Sequence, residues 1–421
     1  MSSAPGPKRV LYCEVCEDGT VGGSHQVLHD LALGLDPARY APVVVFYQEN
    51  PFADTLREAG VPVHVWEAER ERERRPFRGG SRPAQLAALL GAVVRRVRLL
   101  HAERIALVHL NNSPALGFDD WLPAARLVGA ACVANAVGQP YAPPEERLRR
   151  RLMTGYDAFL AVSDHVAAQM RGGGFPEERL HTIPPGIDGA GFRSRAQREP
   201  AAVRRELGIE AGQVLAMMVG NMREWKGHAQ VIEALRRLPP ELDARLVVAF
   251  AGAVRPEDEA YVAGLKRAAK EAGLEGCVKF LGRRSDAPDL VGAADLVLHA
   301  STFPEPFGLV VVEGLALGKP VVAARRGGPV EILGEETGFL HDPDDPDELA
   351  GILARLVREP ALRAAAARNA RARADALDTR ENARRTQEVY DAVLARARGL
   401  RGRILPRGAT IGRAGAASPP D

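Results

Sequence analysis

The chain has 421 residues, 46% of them apolar and 26% charged, which is material for two or three packed cores rather than one. Lys plus Arg number 56 against 54 Asp plus Glu, a net charge of +2 that gives no electrostatic case for nucleic acid as a partner. No run approaches the ~20 apolar residues of a bilayer span, and Met1 to Arg9 lacks the apolar centre of a signal peptide. Four cysteines argue against a disulfide framework, so a reducing cytoplasmic location is expected.

Along the chain, short apolar runs alternate with longer helical patterns, as in parallel sheets with crossover helices. Strands are expected at Arg9–Tyr12, Pro42–Phe46, Val61–Val65, Ile105–His109, Ala131–Asn135 and Ala158–Val162. Helical patterns lie at Ser24–Leu35, Pro83–His101 and Pro144–Met153, and this first domain occupies residues 1–190. The polar, Arg-rich stretch from Phe192 to Pro200 reads as a linker. Alternation then restarts over residues 200–375. Strands are expected at Val214–Val219, Ala244–Ala251, Cys277–Leu281, Asp295–His299 and Pro320–Ala323. Helices fit Gly227–Leu238, Pro256–Ala272, Gly308–Leu317 and Asp347–Arg358. A last helical stretch covers Thr379–Arg396, and residues 399–421, rich in Gly, Ala, Arg and Pro, read as a disordered tail. The fold class is α/β, with two Rossmann-like domains facing each other and ligands expected at the carboxyl ends of the strands.

The most informative segment runs from His299 through Ser301, Glu305, Pro306, Phe307 and Gly308 to Glu313. A strand ends, a Pro-bracketed loop carries Glu305, and a helix begins near Phe307 or Gly308. Gly308 lets the backbone approach a ligand, and the free N–H groups of the helix start suit a diphosphate. Eight residues of helix rise roughly 12 Å, which suits gripping the two ends of a nucleotide sugar. An acid–base pair on one bond would stand about 5 to 9.5 Å apart on opposite sides of the substrate. Spacing alone leaves open a loop charge at Glu305 and a helix-surface charge at Glu313.

A second element is Val219-Gly220-Asn221-Met222-Arg223-Glu224-Trp225-Lys226-Gly227, a strand running into a loop with two cations and then a helix. Positioned cations of this kind stabilise the negative charge left on a departing nucleoside diphosphate. A third is Gly22-Gly23-Ser24-His25 between the first strand and first helix, a loop whose backbone can approach a phosphate or acceptor. His109 ends a strand at the carboxyl edge, where structural hydrogen bonding and catalysis are both open to it.

Together these segments resemble the retaining GT-B glycosyltransferases, in particular glycosyltransferase family 4. Glu305 and Glu313 match the family's Glu-x7-Glu motif, with Phe307, Gly308, Leu309 and Val310 between them. Gly327-Gly328-Pro329-Val330-Glu331-Ile332 and Thr337-Gly338-Phe339-Leu340 are also similar. The resemblance implies that Glu305 contacts the transferred sugar, Glu313 the nucleotide ribose, and Lys226 the leaving diphosphate. The family's usual Arg after the first Gly is Asn221 here, with Arg223 placed to supply the charge. Gly22 and Gly23 would face the donor across the cleft, and Thr379–Arg396 would cross back onto the first domain. Some members carry a second His two residues after the equivalent of His109; here that residue is Asn111.

The resemblance therefore implies a retaining glycosyltransferase without a cofactor or required metal, using a nucleotide-diphosphate-sugar as co-substrate. The acceptor would be a saccharide or lipid-linked molecule of cell-surface polysaccharide or glycolipid synthesis. A nucleotide-sugar epimerase of the same fold and a non-catalytic nucleotide-sugar binding protein are the competing readings. Cys13-x2-Cys16 with His25-x3-His29 has the wrong spacing for a zinc finger. Glu69–Arg75 reads as a solvated loop, and Arg147–Arg151 as a basic surface helix with an alternative as a peripheral membrane contact.

Overall fold

Seven strands form the first sheet: β1 (Lys8–Glu14), β2 (Tyr40–Phe46), β3 (Val63–Val65), β4 (Ile105–Asn111), β5 (Ala131–Ala136), β6 (Ala158–Ala161) and β7 (Leu180–Thr182). β5 is buried at every position and β1 over its last five residues, the pattern of strands covered on both faces. The second sheet holds β8 (Val214–Val219), β9 (Leu246–Ala251), β10 (Val278–Gly282), β11 (Leu296–His299), β12 (Val321–Ala324) and β13 (Gly338–His341). The computed structural model describes residues 6–15, 21–113, 121–138, 155–334 and 336–404.

Strand order is β3-β2-β1-β4-β5-β6-β7 in one sheet and β10-β9-β8-β11-β12-β13 in the other, and every pairing is parallel. The order reverses between β1 and β4 and again between β8 and β11, where helices leave to opposite faces and open a crevice. Two Rossmann-like domains result, and the candidate residues fall at these two reversals. β7 and β13, the edge strands that close each sheet, are not among the strands expected from the sequence.

One apolar cluster joins the domains, running from Leu11, Val108 and Phe159 through Ile187 and Phe192 to Val297, Phe307 and Val311. The stretch from Phe192 to Pro200, expected as a linker, begins inside helix Gly189–Arg195, with Phe192 buried. The connection is therefore residues 196–199, before helix Pro200–Glu206.

Helix Thr379–Ile404 packs Ala383, Tyr390 and Val393 against Tyr12, Leu31 and Val44 of the first domain. Ile187 and Asp378 form a parallel bridge beside its start. The helix runs past Arg396 into what was expected as tail; residues 405–421 lie outside the described residues. The segments Pro144–Met153 and Arg147–Arg151, and Cys16, also lie outside them.

Glu69–Arg75 is not a solvated loop. Helix Glu67–Arg74 buries Glu73 against Arg96, itself fully enclosed, at 2.7 and 3.0 Å. Burial would raise the Glu73 pKa, but Arg96, Arg95 and Arg70 outweigh it and hold the group at about 2. Among the described residues no helix is long and apolar enough to cross a membrane.

Candidate functional site

The site at the second sheet is built from three loops that touch. The turn Glu224–Lys226 follows β8 and ends at Gly227, whose backbone is left-handed with φ 82°. A Cβ on Gly227 would fall 1.8 Å from the Ala300 carbonyl oxygen, so only glycine lets this turn lie on the loop after β11. Thr302 N–H donates to the Trp225 carbonyl at 2.8 Å and locks the two together.

Gly327 and Gly328 clasp the Glu305 loop from its other side. A Cβ at Gly327 would meet the Glu305 carbonyl oxygen at 2.2 Å, and one at Gly328 would meet the Phe307 backbone at 2.5 Å. Gly328 N–H donates to the Glu305 carbonyl at 2.8 Å, and Glu305 and Gly327 form a parallel bridge. The matched Gly-Gly-Pro therefore fixes the backbone that carries Glu305.

These clasps bring Lys226 and Glu305 into direct contact. Lys226 Nζ donates to Glu305 Oε1 and also sits 4.3 Å from the centre of the Trp225 ring. Burial opposes ionisation of Glu305, but the adjacent Lys226 and His299 prevail and hold its pKa at about 2. The helix that follows starts at Leu309, one residue beyond the expected Gly308. Gly308 is its cap, with φ 102°, and the first N–H groups of such a helix have no partner within it.

Glu313 lies one turn further on helix Leu309–Ala316, on its partly buried side. Desolvation by burial pushes its pKa up to about 7, with Arg195 opposing and Asp30 of the first domain adding to the rise. Phe307 is buried in the core joining the domains, and Leu309 and Val310 pack against it. Asn221 and Arg223 sit in the loop after β8, where the Arg223 N–H donates to the Asn221 carbonyl and the Lys226 N–H to the Arg223 carbonyl, both at 3.0 Å. Asn221 and Arg223 thus lie on the same loop as Lys226, and of the three it is Lys226 whose side chain meets Glu305. Lys226, the helix start after Gly308, and two carboxylates shifted in opposite directions, Glu305 downward and Glu313 upward, are what this region offers.

Residues 21–190 match the sequence model of Glycosyltransferase Family 4, and residues 201–373 that of Glycosyl transferases group 1. A D-inositol 3-phosphate glycosyltransferase of Saccharomonospora viridis is 30% identical over 342 residues, 77% of this chain and 78% of that protein. The chain belongs to glycosyltransferase family 4. A second D-inositol 3-phosphate glycosyltransferase, of Salinispora arenicola, is 36% identical over about half of each chain, 52% of this one and 50% of that one. Among solved structures, Anabaena Alr3699/HepE in complex with UDP-glucose superposes with a TM-score of 0.74 at 27% identity, covering 91% of this chain and 99% of that one. WaaG, a glycosyltransferase of lipopolysaccharide biosynthesis, shares the fold at a TM-score of 0.64 and 21% identity, over 90% and 99% of the chains. Fold and family are those of the GT-B glycosyltransferases.

In this glycosyltransferase the first domain brings the Gly22-Gly23 loop against helix Leu309–Ala316 of the second. A Cβ on Gly23 would lie 2.9 Å from Leu309 Cδ1, so the start of helix Gly23–Leu33 meets the start of helix Leu309–Ala316 across the cleft. Ser163 Oγ donates to the Pro306 carbonyl at 2.6 Å, and Glu331 accepts the N–H groups of Asp164 and His165 at 2.8 and 2.7 Å. Neither Ser163 nor Glu331 carries a signal of this role in the sequence, because their partners are more than 140 residues away.

His109 is not at the cleft surface. It is fully enclosed, its Nδ1 bonds to the Tyr390 hydroxyl at 2.6 Å, and burial pushes its pKa down to about 3. The catalytic role that its strand-end position suggested for His109 is therefore corrected to a structural one, on the face of β4 that receives the terminal helix. Asn111, two residues on, is also buried. Its amide donates to Glu14 Oε2 at 2.7 Å and to the Ser24 carbonyl at 2.8 Å, tying the Gly22-Gly23 loop to β1 and β4.

Proposed function

We propose that this glycosyltransferase moves a hexosyl group from a nucleotide-diphosphate-sugar to a hydroxyl of its acceptor, with retention at the anomeric carbon and no required metal. The observation that carries this reading is the Lys226–Glu305 pair beneath the start of helix Leu309–Ala316. Lys226 and the helix N–H groups would stabilise the negative charge on the leaving diphosphate, a task that a divalent cation performs in other active sites. Glu305 would orient the sugar and Glu313 would accept from the ribose hydroxyls. As the C–O bond to the diphosphate breaks on one face, the acceptor oxygen bonds on that same face, and its proton passes to the departing phosphate oxygen. No side-chain base is needed, which accords with the enclosure of His109 and Asn111.

A UDP-sugar is favoured as donor because the 27% identical Anabaena protein holds UDP-glucose. The relatives named for D-inositol 3-phosphate favour a phosphorylated polyol as acceptor, ahead of the saccharide or lipid-linked acceptor that the sequence resemblance implied. Purified full-length protein should be incubated with UDP-, GDP- and ADP-sugars, each with inositol 3-phosphate and with oligosaccharides. Nucleotide release and product mass are followed, and the anomeric configuration is read by NMR. A glycoside of retained configuration, formed equally in EDTA, is expected. Release with no donor in any pairing removes the transferase proposal, an epimer formed without acceptor makes the protein an epimerase, and inversion removes the retaining mechanism.

A further inference from the structure

Buried polar side chains lie beside Glu305, and neither the sequence pattern nor the family resemblance gives them a role. His299, the last residue of β11, is 3% exposed, with Nε2 3.8 Å from Glu305 Oε1. Ser301 and His228 are each 1% exposed. A cavity of about 10 Å³ at the β8–β11 reversal is lined by Lys226, His228, His299 and Ser301. Near it, both ring nitrogens of His299, Nδ1 of His228, Oγ of Ser301 and Oε2 of Glu305 are buried and meet no hydrogen-bond partner among the described residues.

Buried polar groups in folded proteins are almost always satisfied, by protein or by ordered water. A cavity of this size takes one water, and a buried water typically makes about three hydrogen bonds, here from groups that have no other partner. Lys226 has a second obligation. Once a diphosphate takes its charge, Glu305 loses its cation, and a buried carboxylate left alone turns or takes a proton. His299 is the remaining donor beside it.

We propose that His299, Ser301 and His228 hold one water beneath Lys226 and Glu305, and that His299 is a positioning residue that keeps Glu305 ionised and aimed at the transferred sugar when Lys226 turns to the diphosphate. The inference rests on the donor-site reading above. It separates two functions within the site: the hold on the nucleotide, which does not need His299, and the alignment of the sugar, which does.

The test uses the full chain with UDP, which has no sugar, and with UDP-glucose. Wild type is measured first for UDP affinity and for turnover. His299→Leu should lower kcat on the order of 100-fold, as small misplacements of a reacting group do, while the Kd for UDP stays within about twofold. His299→Gln, which restores a donor beside Glu305, should regain about tenfold of that loss. A His299→Leu enzyme within about threefold of wild-type kcat overturns the inference, and so does a parallel loss of UDP affinity or a failure of Gln to rescue. If His299→Leu does not fold, Ser301→Ala decides: a kcat about tenfold down with UDP affinity kept supports the water site, and wild-type turnover overturns it. Wild type that neither binds UDP nor turns over UDP-glucose overturns the inference as stated. If wild type is equally inert toward UDP-, GDP- and ADP-sugars, the donor reading fails too; with wild type active and His299→Leu unaffected, this inference alone fails.

Discussion

Gly23 and Leu309 stand across the interdomain cleft from each other, and a methyl group on Gly23 would come within 2.9 Å of Leu309 Cδ1. The Cδ1 atom is the far end of a flexible side chain, so Gly23→Ala needs only a shift of Leu309. Gly23→Val brings two more carbons and should hold the helix starts apart. We expect kcat/KM to fall about tenfold or more in Gly23→Val, since atoms on the donor and acceptor sides would no longer align, with the melting temperature kept. Among the described residues no atom lies within 4 Å of the missing Cβ of Gly22. A loss in Gly22→Ala equal to that in Gly23→Val would mean that bound substrate, not Leu309, requires the space.

Lys226 and Glu305 should be coupled in stability and in turnover. Lys226→Met leaves a buried carboxylate without its cation, and kcat should fall by about 10²–10³, the effect of losing one group that stabilises developing charge. The double variant with Glu305→Gln should regain the stability lost by Lys226→Met while remaining inactive. Chemical denaturation of the two single variants and the double variant gives the coupling energy. Additive single effects would show that the two side chains do not act as a pair.

Glu313 has the opposite electrostatic design from Glu305. Its pKa is raised from 4.5 to about 7, so the folded chain binds this proton more tightly than the unfolded chain does. Stability contributed here is therefore lost as pH rises from about 4.5 to about 7, and the cost is fully present above that. Glu313→Gln should be more stable than wild type at pH 8, on the order of 2 kcal/mol, with the difference gone below pH 4.5. The same variant should bind free nucleotide more weakly at pH 8, because ribose hydroxyls lose a charged acceptor. Unchanged nucleotide affinity would remove Glu313 from the ribose.

The loops that carry Lys226 and Glu305 into contact, and the helix start after Gly308, are legible in the sequence because their determinants are local. Gly308, Glu305 and Lys226 lie within short spans where a strand, a loop and a helix start follow one another, so spacing reports geometry. The partners of Glu73 do not. Its neighbours in sequence alternate in sign like a solvated loop, while the cations that bury it, Arg95 and Arg96, come from another helix 22 and 23 residues later. Phe192 is the main apolar residue of an Arg-rich segment, and only its place in the core between the domains makes helix Gly189–Arg195 part of the fold rather than a linker. His299 gives no periodic signal at a strand end, and its meaning depends on Glu305 folding back over it. His109 shows the converse: a histidine at a carboxyl edge suggests chemistry until the terminal helix, 281 residues away, covers it.

That last contact can be tested by pH. Burial holds the His109 imidazole at a pKa of about 3, against 6.5 in an unfolded chain. Between these values the unfolded state binds more protons, so stability rises with pH, is fully present above about 6.5, and is lost as pH falls toward 3. His228, held at about 4 by burial and by Lys226, adds acid sensitivity of the same sign. His109→Phe should flatten the stability profile between pH 6.5 and 4 by roughly the share of one histidine. Tyr390→Phe, which removes the hydroxyl bonded to His109 and Tyr12, should cost about 1 kcal/mol at pH 7 and leave kcat at the wild-type value. His109→Phe that keeps its fold yet loses turnover by more than about 100-fold would return His109 to the chemistry. Turnover that survives in both variants, with the terminal helix loosened in hydrogen exchange, would establish the contact as the fastening of that helix.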